Sequence, residues 1–465
     1  MVRQRLRSPA PSAAGTHRRA RIVYAALPLV WATFGLANLG SYRGYLLVSV
    51  MVFAGTAGWI AAALLRPAAA SAPPRGAWLS TVVVLAVGSV VVFQPTYLTP
   101  SDALRMRMSV LVCTIALAVI WSAGSRAVAR ASLGVSAVVL AVTAWFPVRG
   151  VPVPGNDVWF LLQQSADGLV RGENMYRTTW QGVPPGQVTD AFAYLPMSSV
   201  LFAPARWLTG DVRWGLAVMV AASAVLLLGA ARGGAAGRGL WFAPACLLVL
   251  TPGHALQVEM TWTEPLILVL VLGAVLATSA GRRWWPVVLL ALALASKQHV
   301  WLLLPLFAVW RPFGPVRAGQ SALGAVLMCL PWVVADPRAM FDDTVGAAVG
   351  SVASDRISTV HALLGRWGVD LPIAVALAVV LATVVWCCMR VRACATPAQF
   401  CLAAALALLV ANLMSKHAYY NQWWLCGSLV LAAVAFSTAS EAESPERVAT
   451  VAQGRAETAT KQNSL

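Results

Sequence analysis

Charge is what this sequence has least of. Of its 465 residues only 11% are charged, where a soluble globular domain carries about 25%. Such a composition excludes a soluble enzyme, and it excludes a disordered chain, which needs high charge and low hydrophobicity. Lysine is scarcer still. Among 34 basic residues only Lys297, Lys416 and Lys461 are lysines. Cysteine pairs are missing too. None of the 8 cysteines forms a CxxC spacing, and all lie in or beside apolar runs, so they read as small buried apolar residues. The P-loop, dinucleotide-binding, zincin and nucleophile-elbow signatures are absent. A nucleotide-driven reaction therefore has no support.

What the sequence has is apolar length. Hydrophobic residues make up 59% of it, and the mean hydropathy is +0.73. At about 20 apolar residues per helical span, the chain reads as an all-α, polytopic integral membrane protein of about 12–14 spans. The net charge of +17 sits largely in arginines at the ends of apolar runs, which fits cytoplasmic anchoring better than nucleic-acid binding.

Along the chain, residues 1–21 form a basic tail, 22–437 a multi-span membrane domain, and 438–465 a polar tail expected to be disordered. The first five spans fall near 22–39, 45–65, 77–98, 106–123 and 131–147. With both termini cytoplasmic, the loops 148–192 and 336–371 lie outside. The middle admits two arrangements. Either every apolar run from 193 to 335 crosses once, or 193–208, broken by Pro196 and Pro204, dips in without crossing, while 284–310 is two short helices turning at Ser296–Lys297–Gln298–His299. The second is preferred, because a lysine at the bilayer centre costs at least about 2.5 kcal/mol and broken helices are tolerated where they line a polar cavity.

In that arrangement the rare polar residues gather at the outer face: Asn156 and Asp157, Tyr194, Glu259 and Glu264, Lys297 and His299, Arg356, then Lys416, His417 and Asn421. Outer loops collect polar residues for dull reasons, but Glu259, Glu264 and Lys297 interrupt strongly apolar sequence and need partners. A carboxylate at an aqueous rim can act as a general base on a hydroxyl. Cations beside it can hold a phosphate and stabilise it as a leaving group. A lipid-borne phosphate suits such a site, with the tail between helices and the headgroup on the cations.

The order of the motifs resembles the C-type membrane glycosyltransferases, and more narrowly glycosyltransferase family 87, the polyprenyl-phosphate-mannose-dependent mannosyltransferase group. The stretches carrying the resemblance are Asn156-Asp157-Val158-Trp159, Gly172-Glu173-Asn174-Met175-Tyr176, Phe192-Ala193-Tyr194-Leu195-Pro196-Met197, Gln257-Val258-Glu259, Trp262-Thr263-Glu264-Pro265, Ser296-Lys297-Gln298, Asp355-Arg356-Ile357-Ser358, and His417 with Trp423-Trp424. Together they cover about residues 150–435. Met175 stands where the family has proline, and Asp355 precedes Arg356 instead of following it; both departures leave the substrate open.

The resemblance implies inverting transfer of a hexose, mannose first, from a polyprenyl-phosphate sugar to a glycolipid or glycan hydroxyl on the extracytoplasmic side of a bacterial plasma membrane. It implies Asp157 as general base, and Lys297, Arg356, His417 or His299 on the donor phosphate. Asn156, Tyr194, Glu259 and Glu264 would contact sugar or acceptor; the two glutamates serve equally well as buried partners for Lys297. No metal or other cofactor is implied. A lipid-linked sugar transporter or flippase, or a scaffold without catalysis, is the alternative.

Overall fold

The computed structural model describes residues 23–41, 46–65, 73–92, 95–123, 127–185, 190–232, 240–250, 253–346 and 357–440. Arg356, its neighbour Asp355, the basic tail 1–21 and nearly all of the polar tail lie outside them. Every regular element among these residues is helical.

The first five long helices run back and forth: α1 (Leu27–Ser41), α2 (Leu46–Leu64), α3 (Arg75–Val92), α4 (Pro100–Ala123) and α5 (Val128–Gly150). Their ends sort into two sets. At one end, Arg75 donates to the Trp121 carbonyl and Trp121 Nε1 to Ser132 Oγ. At the other, Asn38 Nδ2 donates to the Tyr420 carbonyl and Tyr97 Oη to the Gly155 carbonyl. This second, loop-rich end also holds two short helices, α6 (Asp157–Val170) and α7 (Met197–Thr209).

α7 does not cross. It has 13 residues, about 20 Å of helix against a hydrocarbon core of about 30 Å. Both of its ends lie in the loop-rich set: Met197 N–H donates to the Ala295 carbonyl, and the Gly210 carbonyl accepts from Gln163 on α6. Gly210, at φ 81°, closes the helix in the left-handed region that glycine tolerates. Asp167 holds Arg206 through two 2.8 Å bonds, and Trp207 Nε1 reaches the Ala166 carbonyl. α6 and α7 thus form a pair, with Trp207 and Leu208 exposed as apolar anchors of the kind that seat in a membrane interface.

The chain then crosses in α8 (Arg213–Arg232) and returns through α9 (Ala243–Leu250) and α10 (Gly253–Glu259). α10 meets α11 (Glu264–Ser279) at a bend of 119°. Pro265 in the first turn of α11 pre-sets the helical backbone and lacks only a donor that would be unpaired there anyway.

α12 (Trp285–Leu294) climbs back toward the loop-rich end, stops, and the chain descends through a 3-10 segment, Gln298–Leu303, and α13 (Leu304–Val309). Trp310 then donates to the Ala395 carbonyl at the opposite end. The run 284–310 is therefore a hairpin with Lys297 at its turn. The break is supported by new partners: the carbonyls just past α12, at Ala295 and Ser296, accept from Met197 N–H, Leu195 N–H and Ser198 Oγ, donors that replace the missing next turn.

α14 (Pro315–Ala335), α15 (Pro337–Phe341), a π turn over Asp342–Gly346 and α16 (Val360–Gly365) lead to the last three long helices, α17 (Ile373–Ala393), α18 (Pro397–Met414) and α19 (Tyr420–Ser440). α18 is apolar and buried nearly all round, while α17 exposes Leu377, Leu381, Val385 and Met389. That is the pattern of a central and a lipid-facing helix.

Among the described residues, seven helices are long and apolar enough to cross a membrane, eight if α10 and α11 count as one broken span. The larger expected number counted apolar runs. Several of those runs fold as shorter helices, such as Leu27–Leu39, Arg75–Gly88 and Trp285–Leu294. Hydropathy registers composition and misses where a helix breaks.

Arg213 ties the loop-rich end together. It is fully buried, pairs with Asp211 at 2.6 Å, and donates to the Pro147 and Val148 carbonyls at the end of α5. Arg213→Met strands Asp211 and two carbonyls, so unfolding in detergent is expected to show a loss of about 3–5 kcal/mol.

Candidate active site

The site is assembled at the loop-rich end from five pieces of chain. The first is the start of α6. Asn156 caps it, its Oδ1 accepting from Val158 N–H at 2.9 Å while its Nδ2 donates to the Met260 carbonyl at 2.8 Å. Asp157 follows as the first helical residue, half-buried, with Oδ1 2.8 Å from the same Val158 N–H. A carboxylate is favoured there by the helix N-terminal dipole.

The second piece is the bend between α10 and α11. Thr261 sits at φ 57°, the one non-glycine residue at positive φ among those described. For a β-branched residue this costs about 1–2 kcal/mol. The neighbours hold it there: Met260 is fixed by Asn156, and Trp262 stacks on Tyr420 at 5.7 Å. Just beyond the bend, Thr263 and Glu264 meet the third piece, the Lys297 turn. Lys297 Nζ lies 2.5 Å from Glu264 Oε1 and 3.1 Å from Thr263 Oγ1. Lysine and glutamate are 7% and 0% exposed. Glu264 Oε2 is enclosed with no hydrogen-bond partner, as is His299 Nε2 two residues after the lysine.

The fourth piece is the strap 191–196, which brings Tyr194 over Lys297, Nζ to ring centroid 5.2 Å. Burial first, then the charges of Asp157 and Glu264, hold the Tyr194 phenol well above its usual range. The fifth piece is the turn 415–419 before α19. Burial and the Asp157 charge raise the Tyr419 phenol, and His417, whose N–H donates to Ser415 Oγ, lies in the same turn. The Asp157 charge therefore acts on both tyrosines, one of which lies against Lys297 and the other in the turn that carries His417.

Not every expected ligand is presented to a substrate. Glu259 is 1% exposed, and its oxygens accept from the N–H groups of Thr96, Tyr97 and Leu98 at 2.7–3.3 Å. Its carboxylate anchors the loop before α4 and is not open to a sugar hydroxyl. Asn156 likewise has both amide atoms engaged. Glu264 is the buried partner of Lys297. Arg356 has no position among the described residues. Two tryptophans beside the site are also engaged: Trp262 stacks on Tyr420 and Trp159 packs edge-on against Phe160.

Sequence reading missed Tyr97, Tyr176, Gln298 and Asp343. Tyr97 links Glu259 to the general-base candidate: its N–H is held by Glu259, and its Oη donates at 2.6 Å to the carbonyl of Gly155, two residues before Asp157. Only the prolines on either side of that loop, Pro95 and Pro100, mark it in the sequence, and they say nothing of its partner. Tyr97→Phe is expected to lower stability by about 1 kcal/mol and to reduce turnover without changing donor affinity. Parallel thermal unfolding and kinetics check this.

Residues 192–415 match the model of glycosyltransferase family 87. Over that span, a little under half of the chain, it is similar to this family. The match supports membrane glycosyltransferase activity, which takes a sugar donor and an acceptor. No curated protein matches the chain. The family 87 span opens at Phe192, on the strap, and includes the Thr261 bend and the Lys297 turn. Asp157 lies before it and His417 just after it, so the α6 cap joins the family 87 core through contacts such as Asn156 to Met260.

Proposed function

We propose that this protein moves a hexose, mannose first, from a polyprenyl-phosphate sugar to a hydroxyl of a lipid or glycan acceptor, in one inverting displacement at the loop-rich end. What supports this reading is that the Asp157 charge and the Lys297 ammonium both act on Tyr194, the ammonium 5.2 Å from its ring centroid. Asp157 takes the proton of the acceptor hydroxyl as its oxygen bonds to the anomeric carbon. The bond from that carbon to the phosphate oxygen breaks, and the electron pair leaves with the polyprenyl phosphate. Lys297, with Arg356 and His417 or His299, meets the negative charge that grows on the leaving oxygen.

Lys297 rests against Glu264 at 2.5 Å. A phosphate arriving there shares the ammonium with that carboxylate, so binding relies on the additional cations and on Tyr194 excluding water. A compact ammonium suits a charge that moves between two oxygens.

The reading is tested with purified protein in proteoliposomes. Offered labelled polyprenyl-phosphate mannose and a membrane extract as acceptor, the protein is expected to release one polyprenyl phosphate per sugar transferred. A nucleotide sugar alone should give no product. Label that crosses the bilayer with its phosphate bond intact would instead identify a flippase.

A further inference from the structure

The strap that carries Tyr194 is gripped along its length. Trp180 Nε1 donates to the Ala191 carbonyl, Asp343 Oδ2 accepts from Phe192 N–H at 2.7 Å, and Gln298 Nε2 donates to the Ala193 carbonyl at 3.0 Å. Tyr176 Oη donates to the Tyr194 carbonyl at 2.8 Å. Leu195 N–H and Met197 N–H close onto the end of α12. Trp180 and Tyr176 lie near the strap in sequence, and Gln298 with the end of α12 forms the site's own Lys297 turn. Asp343 belongs to neither group. It stands on the π turn after α15, 151 residues away in sequence, and that turn also reaches the strap through Gln298, whose Nε2 donates to the Thr344 carbonyl at 3.1 Å.

We propose that Asp343 is a positioning residue for the transfer reaction: through Phe192 N–H it holds the strap that sets the Tyr194 ring over the Lys297 ammonium. The inference rests on the transferase reading above. It assigns part of the second outer loop to the site without requiring that loop to touch substrate.

The chemistry of the position supports a functional role over a purely structural one. Asp343 is 7% exposed. Burial pushes its carboxyl up to about 6 against the opposing Phe192 N–H, and the charges of Asp190 and Asp342 add to the rise. Tyr176 faces it as well. The arginines of this region are engaged elsewhere, Arg338 with Asp342 at 3.6 Å and Arg177 with Asp336 at 2.6 Å. Asp343 thus binds its proton more tightly folded than unfolded. Its contribution to stability is full below the ordinary aspartate range and is lost as the pH rises through about 6. The hold on Phe192 runs the other way, since an ionised carboxylate accepts the stronger hydrogen bond. Stability alone favours a neutral side chain here, while the grip on the strap favours the charged one.

The test compares wild type, Asp343→Asn and Asp343→Ala as full chains in proteoliposomes, with transfer rate followed against pH and hydrogen exchange read on the peptide spanning 190–197. Wild type is expected to lose kcat below about pH 6. Asp343→Asn is a neutral acceptor like the protonated aspartate and cannot titrate, so it should lose that limb and run at every pH near the reduced rate that wild type shows below about pH 6. Asp343→Ala, losing a charge-assisted hydrogen bond, should lower kcat about tenfold or more and speed exchange of the strap by a similar factor, with donor KM little changed. If the alanine protein does not fold, the pH profile of the asparagine variant decides alone. An unchanged limb in Asp343→Asn overturns the proposal, and so does wild-type kcat with wild-type exchange in Asp343→Ala. Faster exchange without a change in rate overturns it while leaving the transferase reading intact. A wild-type protein that transfers no sugar removes that reading, and the proposal with it.

Discussion

Asp157→Asn is expected to lower kcat by about 10²–10⁴-fold, the usual cost of losing a positioned general base, while leaving the fold and donor affinity in place. Asparagine keeps the shape of the side chain and an oxygen that can accept from Val158 N–H as Asp157 Oδ1 does. The α6 start has its own cap in Asn156, whose amide also secures the Met260 carbonyl. Thermal unfolding of the variant should therefore match wild type. What is lost is the ability to take the acceptor proton. Asp157→Glu is a second probe: it retains the carboxylate but moves it by roughly a bond length, and misplacement on the order of 1 Å can cost about 10²-fold. A variant protein that turns over at the wild-type rate would remove Asp157 from the chemistry.

The second large effect is expected at Lys297. Lys297→Met leaves Glu264 buried with neither oxygen paired to a cation, a change expected to destabilise by about 3–5 kcal/mol. Loss of activity in that variant alone would not separate a broken fold from a missing phosphate ligand. The double variant Lys297→Met with Glu264→Gln does, because it removes both charges together. Replacing a buried pair by neutral groups of similar volume is often close to neutral in stability, so unfolding of the double variant should return most of the way to wild type. Donor binding should not return, since the ammonium that meets the phosphate is still absent. Were Lys297 only a counterion for Glu264, the double variant would recover activity along with stability.

Parts of this were legible in the sequence for identifiable reasons. A lysine inside a 27-residue apolar run, 284–310, has to reach something polar, and the hairpin turning at Lys297 is how it does so. Pro196 and Pro204 marked a segment too short to cross, and α7 is that segment. Asn156, expected to contact sugar or acceptor, instead caps α6. Glu259 was not legible either. Burial demands a partner for any carboxylate, but sequence cannot distinguish a sugar hydroxyl from the three amides of the loop before α4 that hold it. Adjacent acids such as Asp342 and Asp343 usually read as solvated. The reason one of them is buried is the Phe192 amide, a contact across 151 residues that no local pattern encodes. The bend at Thr261 was hidden for another reason. Hydropathy follows side chains, whereas the 119° turn is a property of the backbone.

The stereochemistry of one turnover tests the central claim most directly. A polyprenyl-phosphate sugar of defined anomeric configuration is given to the wild-type protein, and the configuration of the first product is read by NMR before any second reaction. One base, Asp157, and one leaving phosphate held at Lys297 predict a single displacement, so the product should carry the inverted configuration. Retention would require a covalent sugar intermediate on a second, nucleophilic carboxylate. Glu259 is bound to amides and Glu264 to Lys297, so a retained product would contradict the account.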